Sequence, residues 1–218
     1  MHEAATTEYF APENGQMTTE DRLLAAAEAL IAEQGLHAVR TRPLAARAGL
    51  NMGMIRYCFG GIDQLVLRLL ELNLGRFIEE QSRLERALTE AASREQILFA
   101  LLAPNQTPAA FVPGIRAAAI IEDIMVHFDD RAKREAEAKL HMSYLPLLDR
   151  LIAACPHLSR EAVLWRFCCV CAGSLSFSPR APAWQLYNAL SKHDPATGEQ
   201  ALAELIAVAA GALAYQSA

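Results

Sequence analysis

Apolar residues along most of this chain recur every three or four positions, the spacing that lines one face of an α-helix. In residues 18–34, TTEDRLLAAAEALIAEQ sets Leu23, Leu24, Ala27, Leu30 and Ile31 on such a face. Thr18 or Thr19 can cap this helix, acids fill its first turn, and Gly35 stops it. Two shorter helical patterns follow in TRPLAARAGLNMGMIRYCF, residues 41–59, and meet at Ala48-Gly49-Leu50. Thr41 is the candidate cap of the first, and Pro43 sits in a turn whose N–H groups have no carbonyl partner to lose. Asn51 is the candidate cap of the second, where Ile55 and Phe59 share a face. Two short helices around a glycine turn read as a helix-turn-helix. The first helix supplies the third wall, covering Leu44, Leu50, Ile55 and Phe59.

Gly60-Gly61 then breaks the chain, and the pattern predicts a long helix from Ile62 through Leu74 and Phe77 towards Leu88, linking two domains. Beyond Ala91 no strand-like alternation appears. Helices are predicted over residues 94–102, 115–128, 130–154, 160–175 and 199–215, separated by loops at Pro104, Pro108 and Pro113, at Pro156, and at Pro179, Pro182 and Pro195. Pro146 lies inside a continuous amphipathic pattern, so a kink is expected there. The expected architecture is all-α with about nine helices. Residues 1–17 form a mobile arm, 18–65 a three-helix DNA-binding domain and 66–218 a larger helical domain.

The chain has 218 residues, of which 53% are hydrophobic, ample for a core. Its formal net charge of −5 argues against general attraction to nucleic acid. The local picture is the opposite: Arg40, Arg42, Arg47 and Arg56 occur with no Asp or Glu between Glu33 and Asp63. No apolar run approaches the roughly 20 residues that cross a bilayer, and the first seventeen residues carry no Lys or Arg and no apolar run. A cytoplasmic protein without a membrane partner is expected. Five cysteines, an odd number, are expected to be reduced thiols.

Taking Ile55 as pointing inward and stepping about 100° per residue, Gly53 and Tyr57 point outward, with Met54 and Arg56 on their flanks. A mid-helix glycine costs about 0.8–1.0 kcal/mol against alanine, and close approach of the backbone to bases is a reason to bear it. Arg56 has the geometry to pair with a guanine or to hold a phosphate. Met52 and Met54 can meet thymine methyls; Asn51 and Thr41, at helix starts, suit phosphate oxygens. With Arg40 and Arg42 these residues are the candidate DNA contacts.

The order of these features resembles the tetracycline-repressor (TetR) family of bacterial transcription regulators from about Arg22 to Leu65. Arg22-Leu23-Leu24, Ala26-Ala27, Leu30-Ile31 and Gly35 are similar to the family's first helix. Thr41, Leu44-Ala45 and Ala48-Gly49-Leu50 are similar to its second helix and turn; Gly53, Ile55, Tyr57 and Phe59 fit its recognition helix. Three positions depart from the usual pattern, where Met54 replaces a Thr or Ser, Arg56 an aromatic and Ile62 a lysine near the phosphate track.

The resemblance implies a homodimer on a palindromic double-stranded operator, most often as a repressor, released when a small molecule binds the C-terminal domain. In the family the two last long helices pair across a two-fold axis. That role falls here on Leu164, Phe167, Cys168, Cys171, Leu202, Ile206, Ala209 and Leu213, with an intrachain core as the alternative. Phe111, Ile121, Met125, Phe128, Tyr144, Trp165 and Trp184 are the candidate ligand contacts, each also an ordinary core residue type. No cofactor or metal is expected, because His127, Asp129, Asp130 and His141 have poor ligand spacing. Cys168, Cys169 and Cys171 read as packing residues rather than a thiol sensor. No nucleophile elbow or phosphate-binding glycine loop appears, so an enzyme is not expected. The rival readings are a ligand-independent or protein-partnered regulator of the same fold and, less favoured, an all-helical enzyme.

Overall fold

Thr18 opens the first helix through a reciprocal cap: its hydroxyl oxygen accepts from the Asp21 N–H at 3.0 Å, and the Asp21 carboxylate accepts from the Thr18 N–H at 3.1 Å. The computed structural model describes residues 17–128, 130–175, 185–186, 189–190 and 198–215. Residues 1–16 of the expected arm, Asp129, Trp184, and Pro179, Pro182 and Pro195 of the expected loop lie outside the described residues.

Helix α1 (Thr19–Gln34) ends at Gly35, whose φ of 98° a side chain would oppose. After a single 3₁₀ turn (Leu36–Ala38), α2 (Thr41–Ala48) begins one residue earlier than its expected cap. Arg40, with extended backbone, occupies the cap position without a side-chain bond, and Thr41 is already helical. Gly49, at φ 64°, reverses the chain in the left-handed conformation, and the Leu50 N–H returns to the Ala45 carbonyl at 3.0 Å. Met52 occupies the cap position of α3 (Gly53–Phe59) without a side-chain bond, and Asn51, one residue earlier than that, accepts from the Met54 N–H through its side-chain oxygen at 3.2 Å. Leu23, Ile31, Leu44, Ile55, Leu65 and Leu69 are almost wholly buried, while Leu50 and Phe59 are only half-buried.

Helix α4 (Ile62–Ala87) is continuous. It is followed by α5 (Arg94–Leu102), which Ser93 and Gln96 cap reciprocally, then a 3₁₀ turn (Ala103–Gln106), α6 (Ala117–His127), α7 (Asp130–Ala153), α8 (Arg160–Leu175) and α9 (Gly198–Ala214). These make nine α-helices among the described residues. Helix α6 starts two residues later than the sequence pattern predicts. Arg116 is extended there and pairs with Pro108 in an isolated antiparallel bridge that closes the 108–116 loop. Helix α7 runs through Pro146.

By its contacts the chain divides into two units, Met1–Arg76 with Pro108–Lys133, and Phe77–Thr107 with Arg134–Ala218. The expected DNA-binding segment 18–65 is part of the first unit, which also takes in the 108–116 loop and α6. The second unit has its own core, including Leu98, Leu101, Leu147, Leu151, Val163 and Leu213. Burying each such side chain is worth about 1.5–3 kcal/mol. Arg166 caps the end of α9 by donating to the carbonyls of Ala212 and Tyr215, both at 2.7 Å.

Candidate nucleic-acid interface

The turn between α2 and α3 is fastened from α1. The Arg22 guanidinium donates to the Ala48 carbonyl at 2.7 Å and to the Gly49 carbonyl at 3.3 Å, supplying partners to the end of α2. A Cβ on Gly49 would lie 3.1 Å from that guanidinium, so the position needs glycine for space as well as for φ. Ile55, 2% exposed, pins α3 to the core. The outer face of α3 follows from this anchor.

Tyr57 is 84% exposed and Met52 55%, and Asn51, Gly53 and Arg56 are exposed beside them. Met54 is half-buried and so is turned further inward than its expected flank position. Arg40, Thr41 and Arg42 are exposed on and beside the first turn of α2. The four-arginine patch is reduced by one: Arg47 makes a two-point pair with the Glu33 carboxylate of α1, at 2.5 and 2.6 Å. The guanidinium beside Glu33 holds that carboxyl below its usual range. The acid-free window began one residue after Glu33, and α1 folds that residue back onto α2. Arg40 donates through Nε to the His37 carbonyl at 3.1 Å, so its terminal nitrogens are the donors left for a phosphate.

Gly53 acquires an internal reason beside the expected one. A Cβ there would lie 3.1 Å from the Asn51 side-chain oxygen and crowd its bond to the Met54 N–H.

A helix pair, an arginine-fastened glycine turn and an outward α3 face are thus in place. Residues 23–69 match the family model of bacterial regulatory proteins of the tetR family. These residues carry the tetR-family domain. Solved structures of the same fold include the TetR-family regulator PfmR from Thermus thermophilus, at 15% identity and TM-score 0.59, over 90% of this chain and all of that one. AmtR of Mycobacterium smegmatis is similar at 18% identity and TM-score 0.60, over 97% of this chain and 92% of its own. FadR of Bacillus subtilis, solved in complex with stearoyl-CoA, is similar at 18% identity and TM-score 0.56, over 88% of this chain and 97% of its own. A comparison with curated proteins finds no match. At these identities the neighbours show the fold; the family model covers the helix-turn-helix within residues 23–69.

The candidate ligand contacts fall into different units. Phe111, Ile121, Met125 and Phe128 belong to the first, Tyr144 and Trp165 to the second. Ile121 is buried, and Phe111, Met125 and Phe128 are half-buried. The Tyr144 ring packs 6.2 Å from that of Phe77 and 6.0 Å from that of Phe167. Trp165 is 72% exposed and faces out of α8.

The candidate dimer residues divide likewise. Phe167, Leu202, Ala209 and Leu213 are buried in the second unit's own core; Leu164, Ile206 and Cys171 are half-buried, and Cys168 is exposed. The outward stripes are Trp165, Cys168 and Cys169 on α8, with Ala207, Val208 and Gly211 on α9. The packing reading of the cysteines therefore fits Cys171, whose thiol burial pushes up to about 12, and not Cys168 or Cys169. His127 approaches Asp123 within α6, at 3.1 Å. Among the described residues no group of three or more His, Cys, Asp or Glu is gathered as a metal site, and no helix is long and apolar enough to cross a membrane.

Sequence reasoning passed over three buried polar residues, Glu28, Asn73 and Gln81, each without solvent exposure. The available signal was position: Glu28 lies at helical spacing from Leu24 and Ile31, and Gln81 from Phe77 and Leu84, on faces otherwise apolar. Both polar atoms of the Gln81 amide are buried without a partner.

Proposed function

We propose that this protein is a dimeric repressor that leaves a palindromic operator when a small molecule binds its C-terminal part. Residues 18–65 serve as the reading head and 66–218 as the effector-binding and dimerisation domain, in the cytoplasm. The observation that carries the reading is the exposed face of α3, where Gly53, Arg56 and Tyr57 stand opposite the buried Ile55. Arg40, Thr41, Arg42, Asn51 and Arg56 position the head on phosphates, and Met52 and Tyr57 read base edges, with Met54 at the margin.

The effector reading draws support from FadR of Bacillus subtilis, whose structure holds stearoyl-CoA, and from Gln81. An amide buried without partners costs about 1–3 kcal/mol; a ligand group that both donates and accepts would remove that cost. Gln81 lies one turn along α4 from Phe77, which packs on Tyr144. The ligand is therefore a largely apolar or aromatic molecule carrying such a group. For the dimer, the outward apolar stripes of α8 and α9 around Trp165 and Val208 are the pairing surface, since the inward stripes are consumed by the core. One head buries too little for specific affinity, and half-sites one turn apart, about 34–36 Å, suit a two-fold pair.

The test is selection of bound fragments from the source genome by the full-length protein, followed by displacement with aromatic amides and fatty acyl compounds. Recovery of a palindrome that is released by a compound supports the proposal. A palindrome that no such compound releases leaves a constitutive DNA binder, and recovery of no enriched fragment overturns the reading head.

A further inference from the structure

We propose that Glu28 is a positioning residue that ties the order of the reading head to the 108–116 loop. The proposal rests on α2 and α3 being the DNA-contacting part of the chain. Glu28 sits in the middle of α1 and has no solvent exposure. One carboxylate oxygen accepts from the backbone N–H groups of Phe111 at 2.8 Å and Val112 at 2.7 Å. The other accepts from the Ala110 N–H and from the Asn73 side-chain amide of α4, both at 3.1 Å. Asn73 completes the cage, as its oxygen also accepts from the Ala110 N–H at 3.2 Å while its nitrogen donates to the Leu69 carbonyl at 3.1 Å.

Three consecutive backbone N–H groups thus converge on one anion, the arrangement of a backbone nest. The donors that hold it are all neutral. Burial pushes the Glu28 carboxyl up, and the bonds to Phe111, Asn73, Val112 and Ala110 pull against that shift. Without the loop, the carboxylate would lose its three backbone donors in the middle of α1, the helix whose Arg22 and Glu33 hold the α2–α3 turn and Arg47. The loop is itself braced: Ala109 N–H donates to the Ile115 carbonyl at 2.8 Å, and Arg76 of α4 donates to the Pro108 carbonyl at 3.2 Å. A second tie joins the turn after α1 to α6, where Asp123 accepts from the Leu36 N–H at 3.2 Å. Displacement of the loop and loosening of the head are therefore linked, and linkage of this kind acts in both directions.

The experiment is amide hydrogen exchange on the full-length protein without DNA or ligand, comparing wild type, Glu28→Gln, and Glu28→Gln combined with Asn73→Asp. The single change turns an amide donor towards the Ala110 N–H and the Asn73 amide. In the double variant the new carboxylate on α4 offers an acceptor again to the Ala110 N–H and to the introduced amide, with loss of the Asn73 bond to Leu69. Exchange at Ala110, Phe111 and Val112, and through α2 and α3, should rise about tenfold or more in the single variant. Exchange in α5 should stay unchanged, and the double variant should move back towards wild type.

A rise in the loop alone, an equal rise everywhere including α5, or no rise would each overturn the proposal. Should Glu28→Gln not fold, Glu28→Asp, which keeps the charge but draws it back by one methylene from the three backbone donors, is read in the same way. Because the assay contains neither DNA nor effector, failure of the ligand-responsive reading shows separately, in the fragment selection with wild-type protein.

Discussion

Arg56 and Arg47 look alike in the sequence and should behave oppositely on DNA. Each cation that neutralises a phosphate contributes about 0.9 to the slope of log affinity against log salt. Arg56 is exposed beside Tyr57. Its change to Ala should flatten the slope by about 0.9 per head, or about 1.8 for a dimer using both heads. From about 50 to about 200 mM salt, that difference amounts to roughly twelvefold in affinity.

Arg47 is held by Glu33 at 2.5 and 2.6 Å, so removing the pair as Glu33→Ala with Arg47→Ala changes no net charge and should leave the slope as it is. Glu33→Ala alone releases Arg47 and should steepen it. The lowered pKa of Glu33 keeps it ionised from the neutral range down to its usual value of 4.5 and below; the pair is lost only as pH falls through that lowered pKa, so an assay at neutral pH reads it intact. Fluorescence anisotropy on a genome-selected duplex, repeated across salt concentrations, supplies the slopes. A double variant that loses as much slope as Arg56→Ala would show that the ion pair opens on DNA, and would restore the four-arginine surface.

Gly49→Ala forces a side chain into φ 64° and to 3.1 Å from Arg22, and should cost about 1–2 kcal/mol in urea unfolding followed by a signal from the first unit; an unchanged midpoint refutes the fastened turn. Gln81→Leu removes a partnerless buried amide at similar size, and the melting temperature of the unliganded protein should rise by a few degrees, at about 2–4 °C per kcal/mol. A fall would mean that the amide is already satisfied. With iodoacetamide at pH 8, Cys168 and Cys169 should label in dilute protein and become protected as concentration rises, while Cys171, pushed up to about 12, stays unlabelled. Labelling of Cys168 and Cys169 that ignores concentration would place the dimer face elsewhere.

Helix ends were readable from the chain because their causes are local. Thr18 needs only Asp21 to cap α1, Gly49 needs only its missing Cβ to reverse the chain, and Asn51 reaches the Met54 N–H within one turn. The inward Ile55 and outward Tyr57 follow from the same short periodicity. The shift of the α2 cap from Thr41 to Arg40 is a one-residue matter of the kind that periodicity does not resolve.

The helical fold of this chain and its helix-turn-helix were therefore determined by the sequence itself, because caps, glycine turns and apolar spacing act within a few residues. What each charge and each apolar stripe does was decided only by the tertiary structure. Glu33 meets Arg47 across 14 positions, and Glu28 meets Val112 across 84. Helices α8 and α9 each carry apolar residues on two sides, and packing alone chose Phe167 and Ala209 for the core while leaving Trp165 and Val208 outside. Hydrogen bonding and desolvation depend on what stands opposite a group in space, and no local spacing records that.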